Sequence, residues 1–219
     1  MIEGIIFDMD GVISDTQKLH AKIESDLLKR FGLEISPEEI TKKYSGVRTK
    51  DFFDDLLKRQ NKNYNLEKLM EEKWKEMKRL AREHVDEIPG ATNLIKNLYK
   101  NSFSLAVASA SSLEYVKSII AALGVSEYFD AVISGDMVLK GKPDPEIFLL
   151  AASKIDVIPE KCLVIEDGIN GMEAAKSAKM KCIGLVSDKK GIYPTENLVL
   201  SLSEITLEYL KNVETKSLR

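Results

Sequence analysis

Two aspartates two positions apart, Asp8 and Asp10, follow directly on the uncharged run Gly4 to Phe7 and precede a glycine, Gly11. A run this short and branched reads as a buried parallel strand. Carboxylates placed where a strand leaves a sheet do nothing for folding, and ligands bind at this edge of open α/β sheets. Side chains at i and i+2 of extended backbone share a face, so both acids can address one substrate. A carboxylate can attack phosphorus and form an aspartyl-phosphate. A second acid beside it can protonate the leaving oxygen and then deprotonate the next nucleophile.

Other strand ends carry matching groups. Leu105 to Ala108 runs into Ser109-Ala110-Ser111, and a helix starting near Ser111 or Ser112 would offer free N–H groups and a hydroxyl to an anion. Leu163 to Ile165 runs into Glu166-Asp167-Gly168. Between them stands Gly141-Lys142-Pro143-Asp144-Pro145, a lysine ahead of a helix that Asp144 would cap with Pro145 in its first position. Asp8, Asp10, Glu166 and Asp167 at one sheet edge would repel strongly unless a cation sat among them or some took up protons. Oxygen ligands without His or Cys favour a hard ion, and Mg²⁺ keeps substrate phosphate in its shell. Lys142, Ser109 and the helix N-terminus provide for the remaining phosphate oxygens.

The elements that must position these groups fall into two patterns. From about residue 16 to 87 every apolar period is helical. Leu19, Ile23, Leu27 and Phe31 step by four up to Gly32; Ser36-Pro37-Glu38-Glu39 reads as a capped helix start; Asp51 to Arg59 and Leu66 to Val85 follow, the last with Trp74 and His84 on its apolar side. The Lys and Glu residues from Glu67 to Glu87 read as its wet face. Ile88-Pro89-Gly90 then resets the chain to alternating strands (105–108, 131–133, 163–165, 183–186, 198–200) and helices (92–100, 112–123, 145–154, 172–179, 204–211). That alternation implies an α/β fold, a doubly wound parallel sheet covered on both faces. The expected organisation is a core of residues 1–15 and 88–219 with an inserted α-helical cap, 16–87, hinged near Ser14–Thr16 and Val85–Pro89.

Composition sets the outer bounds. A chain of 219 residues with 44% apolar residues buries a proper core, and a net charge of −3 gives no basic excess for nucleic acid. No run has the length of a membrane span, and Met1-Ile2-Glu3-Gly4 lacks the regions of a signal peptide. Cys162 and Cys182 both fall in expected strands, as buried thiols of a reducing cytoplasm would.

With its motifs in this order and strand context, the sequence resembles the haloacid-dehalogenase (HAD) superfamily over essentially its whole length, in the small-helical-cap group that includes β-phosphoglucomutase. Asp8-Met9-Asp10-Gly11-Val12 matches the nucleophile motif, Ser109 the hydroxyl motif, Lys142 the lysine motif and Glu166-Asp167 the acidic metal motif. The resemblance implies that Asp8 is nucleophile and metal ligand. It makes Asp10 the general acid/base, which also gives Mg²⁺ its main-chain carbonyl. Ser109, Ala110 and Lys142 would hold the phosphoryl group, and Glu166 and Asp167 would complete the metal site. Dehalogenases of this fold lack an acid at the place of Asp10, so its presence favours phosphate chemistry. His20 falls where β-phosphoglucomutase has a histidine that helps govern the acid/base, and related phosphatases carry one too. Gly46-Val47-Arg48-Thr49-Lys50-Asp51 matches the cap's substrate loop. The mutase has there an arginine that grips the far phosphate; an ungapped match puts Thr49 at that place and Arg48 one position early. Lys73, on the long cap helix, is a second candidate phosphate contact.

Taken singly, these residues have plainer readings. Asp8-Met9-Asp10-Gly11 could be a solvated turn, or a calcium loop, although the rest of that pattern is missing. Ser109 or Ser111 could merely cap a helix, Lys142 could be a surface lysine, and Glu166 could stand behind a metal without touching it. His20 could pack beside Ile23 and Leu27, and Arg48 and Lys50 could be solvated loop charges. The combined expectation is an Mg²⁺-dependent, monomeric, cytoplasmic phosphatase of a small phosphorylated metabolite, a sugar phosphate being the expected substrate, with no nucleic-acid or membrane partner. A β-phosphoglucomutase is the alternative, a non-catalytic phosphate-binding regulatory protein the third reading. A cap on two short hinges should also close over substrate.

Overall fold

The structure, a computed structural model, describes residues 1–59, 65–83 and 85–216. His84 lies outside the described residues. Among the described residues six strands, β1 (Gly4–Phe7), β2 (Ser104–Ser109), β3 (Ala131–Ser134), β4 (Cys162–Glu166), β5 (Lys181–Leu185) and β6 (Asn197–Val199), form one sheet. Four helices, α1 (Gln17–Arg30), α2 (Pro37–Tyr44), α3 (Thr49–Arg59) and α4 (Leu66–Glu83), follow β1 directly. Helices α5 (Ala91–Lys100), α6 (Leu113–Ala122), α7 (Glu146–Lys154), α8 (Ile169–Ser177) and α9 (Leu207–Lys216) alternate with or follow the later strands.

The strand order is β3-β2-β1-β4-β5-β6, with every pairing parallel. The chain leaves β1 towards β2 and β3, then returns to the other side of β1 with β4. That reversal opens a crevice beyond the carboxyl ends of the central strands, where this class of sheet binds ligands. Register places the chemistry there: Phe7 lies opposite Val107 and Ile165, so Asp8, Ala108 and Glu166 leave the sheet at one level.

Alternation along the strands divides the core. Ile5, Phe7, Leu105, Val107, Leu163, Ile165 and Ile183 point to one face, under α5, α6 and α9. Ile6, Ala106, Ala108, Val164 and Cys182 point to the other, under α7 and α8. Each large apolar side chain so buried contributes roughly 1.5–3 kcal/mol. Exposed i,i+4 pairs such as Lys58–Asp54 contribute only about 0.3–0.5 kcal/mol each, so the stripes decide the fold. Both cysteines are buried and free.

Helices α1–α4 form the inserted cap. Its Phe52, Phe53, Leu69 and Met77 join the same apolar cluster as Ile5 and Phe7. The two connections to the sheet run side by side: Asp15 N–H donates to the Asp86 carbonyl at 2.9 Å and Ile88 N–H to the Ile13 carbonyl at 3.0 Å. Ser36 caps α2 by accepting from Glu39 N–H at 3.1 Å, and Gly32, at φ 70°, ends α1.

Some boundaries differ from the sequence expectation. Helix α8 starts at Ile169, ahead of Met172, because its first turn contains Gly171 and shows no apolar period. Helix α9 starts at Leu207, because a capping box on Ser201 and Glu204 closes a separate 3₁₀ turn first. Strand β5 begins at Lys181 and ends at Leu185. Pro145 precedes α7 and is not its first residue; Asp144 Oδ1 still accepts from Glu146 N–H at 3.1 Å.

Candidate active site

Asp8 follows β1 and its N–H donates to the Ile165 carbonyl at 3.0 Å, which seats it between β1 and β4. Lys142 reaches it from the loop before α7. The Lys142 Nζ stands 2.5 Å from Asp8 Oδ1 and 2.7 Å from Glu166 Oε2, and 4.8 Å from the centre of the Phe148 ring. All three charged side chains are buried. Glu166 Oε1 accepts from Gly168 N–H at 3.0 Å, so both its oxygens have protein donors. Asp167, next to it, has a buried Oδ1 with no hydrogen-bond partner.

Asp8, Glu166 and Asp167 each offer an oxygen within 4.8 Å of the others. Three carboxylates face one ammonium here, which leaves two negative charges unmatched when all are ionised. Burial, then repulsion from Glu166, pushes the Asp8 carboxyl up to about 8 against the pull of Lys142. Burial and the charges of Glu166 and Asp8 likewise raise Asp167 well above the usual carboxylate range. Burial disfavours the Lys142 ammonium, but Asp8 and Glu166 more than offset it and raise the group. An orphaned carboxylate oxygen, an excess of buried negative charge and a donor set made only of oxygen fit a hard divalent cation such as Mg²⁺.

The Asp10 side chain lies apart from that triad. Its Oδ1 accepts from Thr16 Oγ1 at 2.5 Å and stands 3.1 Å from His20 Nε2; its Oδ2 accepts from Ser111 Oγ at 2.9 Å and Ser109 Oγ at 3.3 Å. The imidazole contact has ion-pair distance but not hydrogen-bond alignment. Burial alone would raise Asp10; the neighbouring His20 and the donors around it outweigh burial and hold the carboxyl well below its usual range.

Ser109 is fully buried and bonds inward, accepting from Ser111 N–H at 3.1 Å. Neither Ser109 nor Ser111 caps α6. Its first N–H, on Leu113, donates instead to Asp136 Oδ2 at 2.8 Å, an acid far along the chain.

Between cap and core lies a cavity of ≈ 40 Å³, lined on the core side by Asp8, Asp10, Ala110 and Ser111 and on the cap side by residues that include His20, Glu24, Gly46, Thr49 and Lys73. A Cβ on Gly46 would stand 3.6 Å from Lys142 Cδ and 3.9 Å from Glu166 Oε1, so the cap loop rests on the charged site. Lys73 is buried and donates to Glu24 and Thr49. Arg48 does not line the cavity. It forks onto Asp51 at 2.7 and 2.8 Å and donates to the carbonyls of Val138 and Leu139 at 2.7 and 2.8 Å, tying cap to core. Ser109, Lys142, Glu166 and Asp167 do not line this cavity.

Sequence reasoning passed over Glu24, four residues after His20 on α1, and Tyr115, on α6. Tyr115 is fully buried, its hydroxyl has no partner, and its ring meets those of His20 and Trp74 at 5.4 and 5.6 Å. A charge at a helix position that the stripe assigns to the core was the available signal for Glu24.

Residues 5–185 match the family profile described as haloacid dehalogenase-like hydrolase. The chain belongs to this family. As one of the HAD-like hydrolases it is an enzyme of the hydrolase and phosphotransferase superfamily. The chain is 32% identical to the phosphorylated carbohydrates phosphatase of Thermotoga maritima, over 97% of this chain and 100% of that protein. It is 30% identical to the β-phosphoglucomutase of Bacillus subtilis, over 95% of this chain and 94% of that one. A crystal structure of β-phosphoglucomutase from Clostridium difficile superposes with a TM-score of 0.90 at 29% identity, covering 100% of this chain and 99% of that one. Phosphatase and mutase relatives are thus about equally similar, and the site must separate the two. No helix among the described residues is long and apolar enough to cross a membrane.

Proposed function

We propose that this HAD-like enzyme is an Mg²⁺-dependent phosphatase of a small monophosphorylated metabolite, a sugar phosphate, with Asp8 as nucleophile. The observation that carries the reading is the seating of Asp8. It lines the cavity between cap and core while its carboxylate bonds Lys142 and shares an acidic cluster with Asp167, whose Oδ1 has no partner. Asp8 and Asp167 would hold the cation, with Glu166 behind them because both its oxygens are taken, and the main-chain carbonyl of Asp10 beside them. Bound there, Mg²⁺ supplies positive charge to the phosphoryl oxygens so that an anionic nucleophile can approach.

The chain's own residues carry the two steps. An Asp8 oxygen attacks phosphorus, the bond from phosphorus to the ester oxygen breaks, and Asp10 gives that oxygen a proton. Water then loses a proton to Asp10 and attacks phosphorus. The bond to Asp8 breaks, and inorganic phosphate leaves. Lys142 orients Asp8 and matches the charge of the transferring group. Asp10 is held ionised by Thr16, His20 and Ser111, which suits the base step. A phosphate dianion in the cavity raises it towards the acid form.

Arg48 favours hydrolysis over mutase chemistry. A mutase holds a bisphosphate by both ends, and here the arginine of the substrate loop points to Asp51 and the backbone of residues 138–139, while Thr49 faces the cavity. Release of inorganic phosphate from sugar monophosphates with Mg²⁺ tests the reading. Wild type is expected to turn over at least one, and Asp8→Asn to lose at least on the order of 10⁴-fold in kcat. Conversion of β-glucose 1-phosphate to glucose 6-phosphate faster than hydrolysis would install the mutase instead.

A further inference from the structure

The three acids of the cluster are not equally shielded. Asp8 and Glu166 are buried, whereas Asp167 is half-buried. Asp8 lines the cavity between cap and core, and Asp167 does not. Asp167 lines a different space, a groove of ≈ 530 Å³ beside the hinge strands, together with Gly11, Asp15 and Ser187. Neither Asp8 nor Glu166 belongs to that groove. Gly11 makes room for the acid there: a Cβ at that position would stand 2.7 Å from Asp167 Cγ and closer still to its Oδ2. A cluster whose oxygens lie within 4.8 Å of one another therefore meets two spaces, through two different members.

The two spaces differ in what they can pass. The cavity has room for about three waters at roughly 10–15 Å³ each. Aqueous Mg²⁺ travels with about six and gives them up reluctantly. The groove takes a hydrated ion whole, and its two acids, Asp15 and Asp167, outnumber its one described cation, Lys18. Asp15 is exposed, which places it to attract a cation from solution. Occupancy argues the same way. A phosphate monoester attacked by Asp8 must sit on the cavity side of that residue, where it would bar an ion from coming in behind it. Gln17 and Thr41 line both spaces. Gln17 Nε2 donates to Ser45 Oγ, and the Ser45 carbonyl accepts from Asn170 Nδ2 at 3.1 Å, so this boundary is tied to α8, the helix that follows Glu166 to Gly168.

We propose that the divalent cation reaches and leaves Asp167 through the hinge-side groove, by a path separate from the substrate's, so that metal exchange does not require the cap to leave the core. This rests on the metal-dependent reading above and adds the route.

Mn²⁺, which takes the same octahedral oxygen ligation, makes exchange measurable without turnover. Loss of the free-ion electron paramagnetic resonance signal gives its Kd and rate of uptake. Rapid mixing of loaded protein with a chelating indicator dye gives its rate of release. Ser187→Trp places bulk at an exposed position of the groove. It is expected to slow uptake and release together by roughly tenfold or more, with Kd within about twofold of wild type. Arg48→Ala, which loosens the contact of cap with core, is expected to leave release within about twofold of wild type. Asp15→Asn is expected to slow uptake alone, by roughly two- to tenfold at low salt and less at high salt. Melting curves establish that each variant is folded, and Asp15→Asn carries the test if tryptophan is not tolerated at position 187. Unchanged rates in Ser187→Trp, a loss of its affinity carried by release alone, faster release in Arg48→Ala, or unchanged uptake in Asp15→Asn would each overturn this inference alone. No uptake of Mn²⁺ by wild type overturns the metal-dependent reading and this inference with it.

Discussion

Gly171 and Glu166 pack so closely that a Cβ on the glycine would stand 2.6 Å from Glu166 Cγ and closer still to its Oε2, the oxygen 2.7 Å from Lys142 Nζ. Glu166 can turn towards Lys142 only because α8 has no side chain there. Gly171→Ala sets two effects against each other. In a helix interior alanine is favoured by about 1 kcal/mol, but overpacking a filled site costs about 1–3 kcal/mol. Overpacking wins because Glu166 is fully buried and has nowhere to go. The variant should therefore be less stable and bind Mg²⁺ more weakly, both read by thermal melts in a titration of the metal. A variant as stable as wild type with the same metal response would show that Glu166 is not held by this contact.

Much of this arrangement was legible in the sequence, for identifiable reasons. The acids at the ends of β1 and β4 and the serine at the end of β2 reach one place because parallel register aligns those strand ends. Lys142, between Gly141 and Pro143, was readable only in company with them. What was not legible came from pairing across the cap. The Glu24–Lys73 contact joins residues 49 positions apart, and nothing in either helix's own period announces its partner. Arg48 shows the same limit: its loop position suggested substrate, and its actual partners, the carbonyls of Val138 and Leu139, are backbone atoms that carry no sequence signal.

Among the described residues Lys142 is the one cation bonded to both Asp8 and Glu166, so its removal should be felt in stability before chemistry. Lys142→Met keeps the length of the chain beside Phe148 and leaves two buried carboxylates without their partner. Breaking a buried pair in this way costs about 3–5 kcal/mol. A divalent cation, by matching the same carboxylates, should restore part of the loss. Denaturant unfolding with EDTA and with Mg²⁺ measures both quantities. A loss under about 1 kcal/mol would mean that Lys142 does not balance the buried charge of this cluster.

Without a divalent cation, stability should fall as pH rises towards 8. The Asp8 carboxyl is raised from its ordinary 3.8 to about 8, and Asp167 moves in the same direction. The folded chain therefore holds protons that the unfolded chain releases. The stability this contributes is complete below the unfolded value and is lost as pH climbs through the folded one, a change of up to a few kcal/mol in order of magnitude. Asp10 is shifted downward and has the opposite sign, but its loss comes only in strong acid, below this window. Mg²⁺ replaces the missing protons, so the rise in Tm that it produces should grow from pH 5 to pH 8. A metal-induced shift that is flat across that range would contradict the carboxylate triad as its site.

The cavity between cap and core measures ≈ 40 Å³, against roughly 300–1,000 Å³ for sites that hold small molecules, so the cap is expected to swing away to admit substrate. Arg48 is placed to oppose that swing. Its guanidinium is fixed by the Asp51 carboxylate within the cap and reaches across to two carbonyls of the core, and its side chain is 13% exposed. Hydrogen bonds from a charged donor contribute about 1.5–3 kcal/mol each when shielded, and less in partial contact with water. Arg48→Ala should therefore weaken closure by about 1–2 kcal/mol, a factor of roughly 5–30 in the ratio of closed to open chains. Substrate binds productively only where the cap is shut, so KM should rise as the closed fraction falls. Small-angle scattering should show a larger radius of gyration for the variant than for wild type, with Mg²⁺ and tungstate drawing the two profiles back together. Identical profiles and an unchanged KM would show that the apolar contacts of Phe52, Phe53 and Met77 hold the cap shut without help from the arginine.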